Sequence, residues 1–337
     1  MKISKTRVGA LLITTLWGSL LAHHAAVGQQ ALTKVAIGHS NFRNDVAALW
    51  VPVETGIFQK NGLDVAVTLV EGGRQMTQAI LSGSIPIGMT GVTTVANSVV
   101  AGGDAILILG ITNRVTFDIW AKPELKTAQD LKGKIFGVSD VGGVSHTAAF
   151  LLLKQFGLDP QRDRITFLAA GDEGVRAQAL LSGRIDVTVI DPSVAGPVRE
   201  KGFTFLGNME KMGVPIINNA MVTTKKYIKE QPTIVEAFVR SVVEANAYIL
   251  NPANRRRVTE ILAKNLRLDA DKAEAAYKDL LPKVERKPYL NMEAIAATLQ
   301  ILAERNPKIT QLKPADLVDV SILRRLDQEG FVDQLYR

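Results

Sequence analysis

Gln78-Ala79-Ile80-Leu81-Ser82-Gly83-Ser84-Ile85 returns 100 residues later as Gln178-Ala179-Leu180-Leu181-Ser182-Gly183-Arg184-Ile185. Both copies read as a helix end, a glycine stop and the lead into a strand, because glycine takes the left-handed conformation that ends a helix. The elements around the copies follow one order. Before the first copy, residues 34–38 (KVAIG) read as a buried strand, 45–60 as a helix despite Pro52, and 64–70 as a second strand. The first copy closes a helix over 74–82, followed by a strand at 86–89, a helix at 93–101 and a strand at 105–111. After the polar turn at 130–134 the order restarts: strand 135–138, helix 145–156, strand 165–168, helix 174–182 and strand 187–190. Such alternation predicts right-handed βαβ units, mostly parallel sheets and two related α/β halves.

From Ala220 the character changes. Residues 220–224 read as a last strand; 233–250, 255–265, 270–281, 292–306 and a stretch from Pro314 read as amphipathic helices. With so little strand, this tail is expected to pack on the first half. At the other end, Lys2, Lys5 and Arg7 precede the uncharged run 8–22 (VGALLITTLWGSLLA), and Ala25, Ala26 and Gly28 follow it. A basic head, an apolar run and a small-residue exit predict a secretory signal peptide over 1–28. A membrane anchor is the alternative, but an uncharged run of 15 residues is shorter than the roughly 20 a spanning helix needs. Loss of the three basic residues takes the formal charge from +7 to +4. No basic block suits nucleic acid. The chain has no cysteine, which excludes disulfides, thiolate metal sites, a cysteine nucleophile and a lipid anchor on cysteine.

The run Glu54-Thr55-Gly56-Ile57-Phe58-Gln59-Lys60-Asn61-Gly62-Leu63-Asp64-Val65, with Glu71-Gly72-Gly73, Leu81-Ser82-Gly83, Asp130-Leu131-Lys132-Gly133-Lys134 and Thr223-Thr224-Lys225-Lys226-Tyr227, resembles the nitrate/sulfonate/taurine-type periplasmic solute-binding proteins of ABC importers. Their superfamily also holds thiamine-pyrimidine-precursor binders and synthases. The resemblance implies the type II periplasmic binding fold: two α/β lobes joined by a two-strand hinge, with the C-terminal helical tail on the first lobe. On that basis lobe I spans 32–119 and 220–337, and lobe II spans 120–219. Residues 118–122 and 218–221 would be the crossing strands. The resemblance further implies a soluble, monomeric periplasmic protein without cofactor, partnered by a permease and its ATPase. Two alternatives stand beside it: a synthase-like enzyme, and a sensor that shows its closed form to a membrane receptor.

Ligands of parallel sheets sit beyond the carboxyl ends of the strands. The first lobe thereby offers Ser40, Asn41, Phe42, Gly73, Gly91, Val92, Thr93 and Asn113, and the second offers Gly142, Gly143, Val144, Ser145 and Asp191, with Asn219 at the crossover. Residues 91–94 and 142–146 place glycine and hydroxyls at helix starts, where free N–H groups can hold an anion. Thr93 and Ser145 could equally serve as plain caps. Arg43, Arg74 and Arg114 could each pair with an anion, although exposed arginines are commoner. Phe42, Phe117 and Trp120 could stack on a ligand or fill the core. Asp172 and Asp191 could bind an amine or cap a turn. Ser145, His146 and Asp140 do not read as a triad, because neighbours on one helix start diverge and no Gly-x-Ser-x-Gly elbow is present. No His/Asp/Glu spacing suits a metal. With no acidic cluster evident, an anionic organic solute and no chemistry are expected.

Overall fold

The two halves of the chain build five-stranded sheets of matching strand order, the first completed by a strand that returns after the second half. The computed structural model describes Met1 and residues 31–113, 115–213 and 217–337; the expected signal segment up to residue 28 and Arg114 lie outside them. Strands β1 (Thr33–His39), β2 (Leu63–Leu69), β3 (Ile87–Thr90) and β4 (Ala105–Thr112) alternate with helices α1 (Ala47–Glu54), α2 (Ile57–Lys60), α3 (Gly73–Ser82) and α4 (Val92–Val100). The second half supplies β5 (Asp118–Ala121), β6 (Ile135–Val138), α5 (Val144–Gln155), β7 (Thr166–Ala169), α6 (Glu173–Leu181), β8 (Val187–Ile190), α7 (Gly196–Glu200) and β9 (Thr204–Asn208). The chain then returns through β10 (Asn219–Thr224) and ends in α8 (Lys225–Glu230), α9 (Pro232–Leu250), α10 (Arg255–Leu266), α11 (Ala270–Leu280), α12 (Met292–Arg305), α13 (Ser321–Gln328) and α14 (Phe331–Gln334).

The sheet orders are β2-β1-β3-β10-β4 and β7-β6-β8-β5-β9. β10 runs antiparallel between β3 and β4, and β5 runs antiparallel between β8 and β9. The repeated octapeptides occupy equivalent places, and their hydrogen bonds match. Gly83 and Gly183 have φ of +76° and +79°, which only glycine adopts without strain. The N–H groups of Ile85 and Ile185 bond the carbonyls of Ala79 and Ala179 at 3.2 and 3.3 Å. Ile80 and Leu180 meanwhile turn inward onto their sheets.

Four details depart from the sequence reading. The helix expected over 45–60 breaks at Thr55-Gly56, where Gly56 has φ +76°. All of β5, Asp118 and Ile119 included, pairs in the second sheet, so the chain crosses before Asp118 and not at the expected 119/120 boundary. Strand β9 and the short α7 were not foreseen; β9 is half exposed and α7 spans just over one turn. The stretch from Pro314 is a 3-10 turn, followed by Val318, which bridges Leu107, and by the Asp319 N–H, which bonds the Leu107 carbonyl at 2.9 Å. The tail thus covers the β4 edge, as does Pro288, whose carbonyl takes the Gly110 N–H at 2.9 Å.

The first sheet packs Ile37, Met89, Leu109 and Met221 against α1, α9 and α10, with Phe58 stacked on Phe238. The second lobe has its own core of Ile119, Phe136, Val189, Leu152 and Leu153. Among the described residues no helix is long and apolar enough to cross a membrane.

Candidate binding cleft

The strand order leaves the carboxyl ends of β1, β3, β6 and β8 facing one another, and the walls meet over a narrow hollow of about 40 Å³. The first wall contributes Ser40, Asn41, Gly73, Thr90, Gly91, Asn218 and Asn219; the second contributes Phe117, Ser139, Val144, Ser145, Asp172, Glu173 and Arg176. Both copies of the βαβ plan aim helix N-termini here: α3 and α4 from one side, α5 and α6 from the other. Gly91 and Gly143 start α4 and α5 with no side-chain cap, so the first N–H groups of both helices lack intrahelical acceptors. The α3 start is already met, because the Gly73 N–H donates to Asp140 Oδ2 across the cleft at 3.0 Å. Burial pushes the Asp140 carboxyl up, against the N–H groups of Arg74 and Gly73.

Neither hydroxyl candidate caps its helix. Ser145 Oγ accepts the Ser139 N–H and lies against Ser139 Oγ, both at 2.8 Å, tying α5 to the end of β6. Thr93 Oγ1 is fully buried with no partner among the described residues. His146 Nδ1 accepts the Gly142 N–H at 2.9 Å and faces Arg305 Nη1 at 3.2 Å. Burial, then Arg305, pushes the His146 ring down to about 4.

Beside the hollow lies a buried charge cluster that joins both sheets and the tail. The Arg43 guanidinium pairs with Asp45, reaches Glu173 Oε1 at 3.3 Å and stands 3.6 Å from Asp191 Oδ2. The Asn218 amide turns its oxygen to Arg43 Nη1 at 2.7 Å. Lys283 of the tail reaches Asp191 Oδ2 at 3.1 Å and Asp279 Oδ2 at 2.6 Å. Burial alone would raise the Asp191 carboxyl, but Lys283, Arg43 and the Thr116 and Ser193 hydroxyls hold it well below the usual carboxylate range. Burial raises Glu173 despite Arg43 and Arg176. Asp172 caps α6 by accepting the Val175 N–H at 2.9 Å. Arg176 is almost fully buried; its Nη atoms donate to the carbonyls of Gly171 and Val189 at 2.9 and 3.0 Å, and its Nε has no partner among the described residues.

Of the candidates read from the sequence, Ser40, Asn41, Gly73, Gly91, Val144, Ser145 and Asn219 line the hollow. The others do not. Phe42 packs on His39 and Trp50, and Val92 fills the core behind α4. Thr93 is sealed in the interior. Asn113 donates to the Tyr289 carbonyl and to Glu285, both at 2.8 Å. Gly142 offers its carbonyl to Asn97 at 3.4 Å, and Gly143 lies against Asp140. Asp191 is consumed by the charge cluster, as is Arg43, which is buried and not exposed. The apparent lack of an acidic cluster is overturned: the fold gathers Asp45, Asp140, Asp172, Glu173 and Asp191, which are scattered over 147 residues of chain. Glu173 and Arg176 were missed. Their one sequence signal is their place in the first turn and a half after the strand end at Gly171-Asp172.

A family model described as NMT1/THI5 like matches residues 43–255. The chain belongs to that family. A relative from Brucella abortus (strain 2308), named for a binding role, is 26% identical over 233 residues, 67% of this chain and 69% of its own length. Among solved structures, one from Bordetella bronchiseptica RB50 superposes with TM-score 0.78 at 18% identity, covering 88% of this chain and 98% of that one. The alkanesulfonate-binding protein SsuA from Xanthomonas axonopodis pv. citri, bound to MOPS, gives TM-score 0.66 at 21% identity, covering 87% and 98%. These neighbours establish the type II periplasmic binding fold. The desulfurization enzyme DSZB shares it at TM-score 0.58 and 17% identity, covering 88% and 99%, so the fold alone does not separate binding from catalysis.

Proposed function

We propose that this member of the NMT1/THI5-like family captures a small anionic organic solute, a sulfonate or carboxylate, in the cleft and delivers it to an ABC permease with its ATPase. In this reading residues 1–28 export the chain to the periplasm, the mature protein works as a monomer, and no bond is made or broken. The observation that carries the reading is the convergence of uncapped α4 and α5 starts on one hollow beside the donor Arg176 Nε. Helix starts attract anions through their free N–H groups and the helix dipole. Three of the acids nearby are already paired with Arg43 or Lys283, and a fourth is docked on α3. A hydrolase reading would ask Ser145 and His146 to act together, yet each is bonded elsewhere.

The test is thermal melting of residues 29–337 against sulfonates, carboxylates, inorganic anions, amino acids and pyrimidines. A solute at 100 times its Kd stabilises the folded state by about 2.7 kcal/mol, a shift on the order of 5 °C for this size. A shift confined to cationic or uncharged compounds would overturn the anion assignment.

A further inference from the structure

We infer that Asn97 and Arg305 of the first lobe are positioning residues: together they seat the start of α5 against the start of α4, the two helix starts to which the capture reading gives the anion. The inference rests on that reading and names what aligns its two halves. The α4 start belongs to the first lobe and the α5 start to the second, so neither lobe alone fixes their register. It is fixed at Gly142, which was expected to touch the solute and lies instead just ahead of α5. The Gly142 carbonyl accepts the side-chain N–H of Asn97, on α4, at 3.4 Å. The Gly142 N–H donates to His146 Nδ1 at 2.9 Å, and Arg305 Nη1 stands 3.2 Å from the same nitrogen. A guanidinium can only donate, so Nδ1 accepts from both and the ring proton sits on Nε2.

The groups on either side of Gly142 have separate anchors. Arg305 ends α12, whose Ile295 and Leu299 pack with Val92 and Val95 of α4, so Asn97 and Arg305 move as one body. His146 is buried with its ring perpendicular to Phe167, centroids 4.5 Å apart, and Leu152 and Leu153 root α5 in the core of the second lobe. Arg305 also lies over the Phe150 ring at 4.9 Å, and beside it Glu304 takes the Lys154 Nζ proton at 2.8 Å. An arginine stacked on a ring keeps its N–H groups free to donate sideways. Parting the lobes breaks each of these contacts, and none of them involves an atom of the solute. Neither Asn97 nor Arg305 lines the hollow. They therefore set how readily the walls come together, and leave the choice of solute to the hollow itself.

Disulfide trapping in residues 29–337 tests this with no solute added. A Cβ at position 91 would stand 3.5 Å from Val144 Cβ, within the range a disulfide spans, and the chain has no cysteine of its own. Gly91→Cys with Val144→Cys should therefore cross-link under a mild oxidant whenever the two helix starts meet. Adding Asn97→Leu or Arg305→Leu should slow cross-linking about 2- to 10-fold each, the effect of one hydrogen bond, and both together by more than either. Arg305→Lys, which keeps a donor, should recover part of the loss. Maleimide labelling of Val144→Cys alone corrects for thiol reactivity, and urea midpoints check the fold of every variant. Slower cross-linking at unchanged midpoint and labelling supports the positioning role. An unchanged rate with both leucines in place, a loss matched by a fall in midpoint, or a cysteine pair that never cross-links in a protein that unfolds cooperatively overturns it. Because no solute enters the experiment, the two readings fail separately: a blank solute screen counts against capture alone, and an unchanged cross-linking rate against positioning alone.

Discussion

Replacing Gly91 with alanine should act as a wedge between the lobes. Gly91 sits at φ −91° and ψ 155°, a conformation any residue adopts, so the substitution carries no backbone strain. Its Cβ, however, would lie 2.0 Å from Val144 Cγ2 on the facing wall and 3.1 Å from the Asn218 carbonyl oxygen. Carbon atoms settle at about 3.5–4.0 Å, so the walls must part by roughly 1.5 Å or Val144 must leave its place. Overpacking of this kind costs about 1–3 kcal/mol, which is about 5- to 150-fold in affinity when borne by the closed arrangement. With the lobes swung apart about the hinge the Val144 contact vanishes. The cost should therefore appear in binding, with folding stability in urea changed by less than about 0.5 kcal/mol.

The assay is calorimetric titration of wild type, Gly91→Ala, Val144→Ala and the double variant with the solute selected by thermal melting, alongside urea unfolding of each. Val144→Ala removes the atom that collides, so the double variant should bind more tightly than Gly91→Ala, with a coupling of about 1 kcal/mol or more. Wild-type affinity in Gly91→Ala, or a double variant no better than the single, would show that binding does not bring these walls together.

Two further predictions concern the charges. Lys283→Met leaves Asp191 buried with one cation fewer and should lower stability by about 3 kcal/mol, read as a fall in the urea midpoint at unchanged slope; a loss under about 1 kcal/mol would mean that Arg43 alone neutralises Asp191. The His146 ring is pushed down to about 4 from an ordinary 6.5, so the unfolded chain binds its proton more readily and stability falls as pH drops through that window. Full conversion gives about 3 kcal/mol at most, and screening leaves on the order of 2; His146→Asn should flatten urea midpoints between pH 6.5 and 4, and an unchanged slope there would place the sensitivity elsewhere.

The α/β alternation was legible because each element announces itself locally. Aliphatic runs such as 105–111 are buried on both faces, and Gly83 and Gly183 stop their helices where only glycine fits. Half of the cleft followed from the same local signal, since Ser40, Gly91 and Ser145 are simply what comes after a strand. What escaped is non-local. Nothing near Arg43 foretells that Glu173 and Asp191 will bury it, because those partners are 130 and 148 residues away and their approach depends on how the lobes meet. Arg176 was invisible for the converse reason. A helix surface arginine and a cleft arginine share the same sequence context, and its burial depends on the carbonyls of Gly171 and Val189 being free to receive it.

That cluster bears on how such a hinge can move at all. Burying five charged groups, Arg43, Asp45, Glu173, Asp191 and Lys283, would lock the lobes if opening stranded any of them, since an unpaired buried charge costs several kcal/mol. Here every member keeps a partner on its own side. Arg43 holds Asp45 within the first lobe, and Lys283 holds Asp279 within the tail. Glu173 takes the Asp191 N–H within the second lobe, and Asp191 keeps the hydroxyls of Thr116 and Ser193 there. The bonds lost on parting are the crossing ones alone: Arg43 to Glu173 and Asp191, and Lys283 to Asp191. Water can replace these once the faces separate, so Coulomb gain and desolvation nearly cancel and the cluster biases the equilibrium weakly in either direction. The selectivity of closure then has to come from the solute, through the polar atoms of the hollow that only a bound molecule can satisfy.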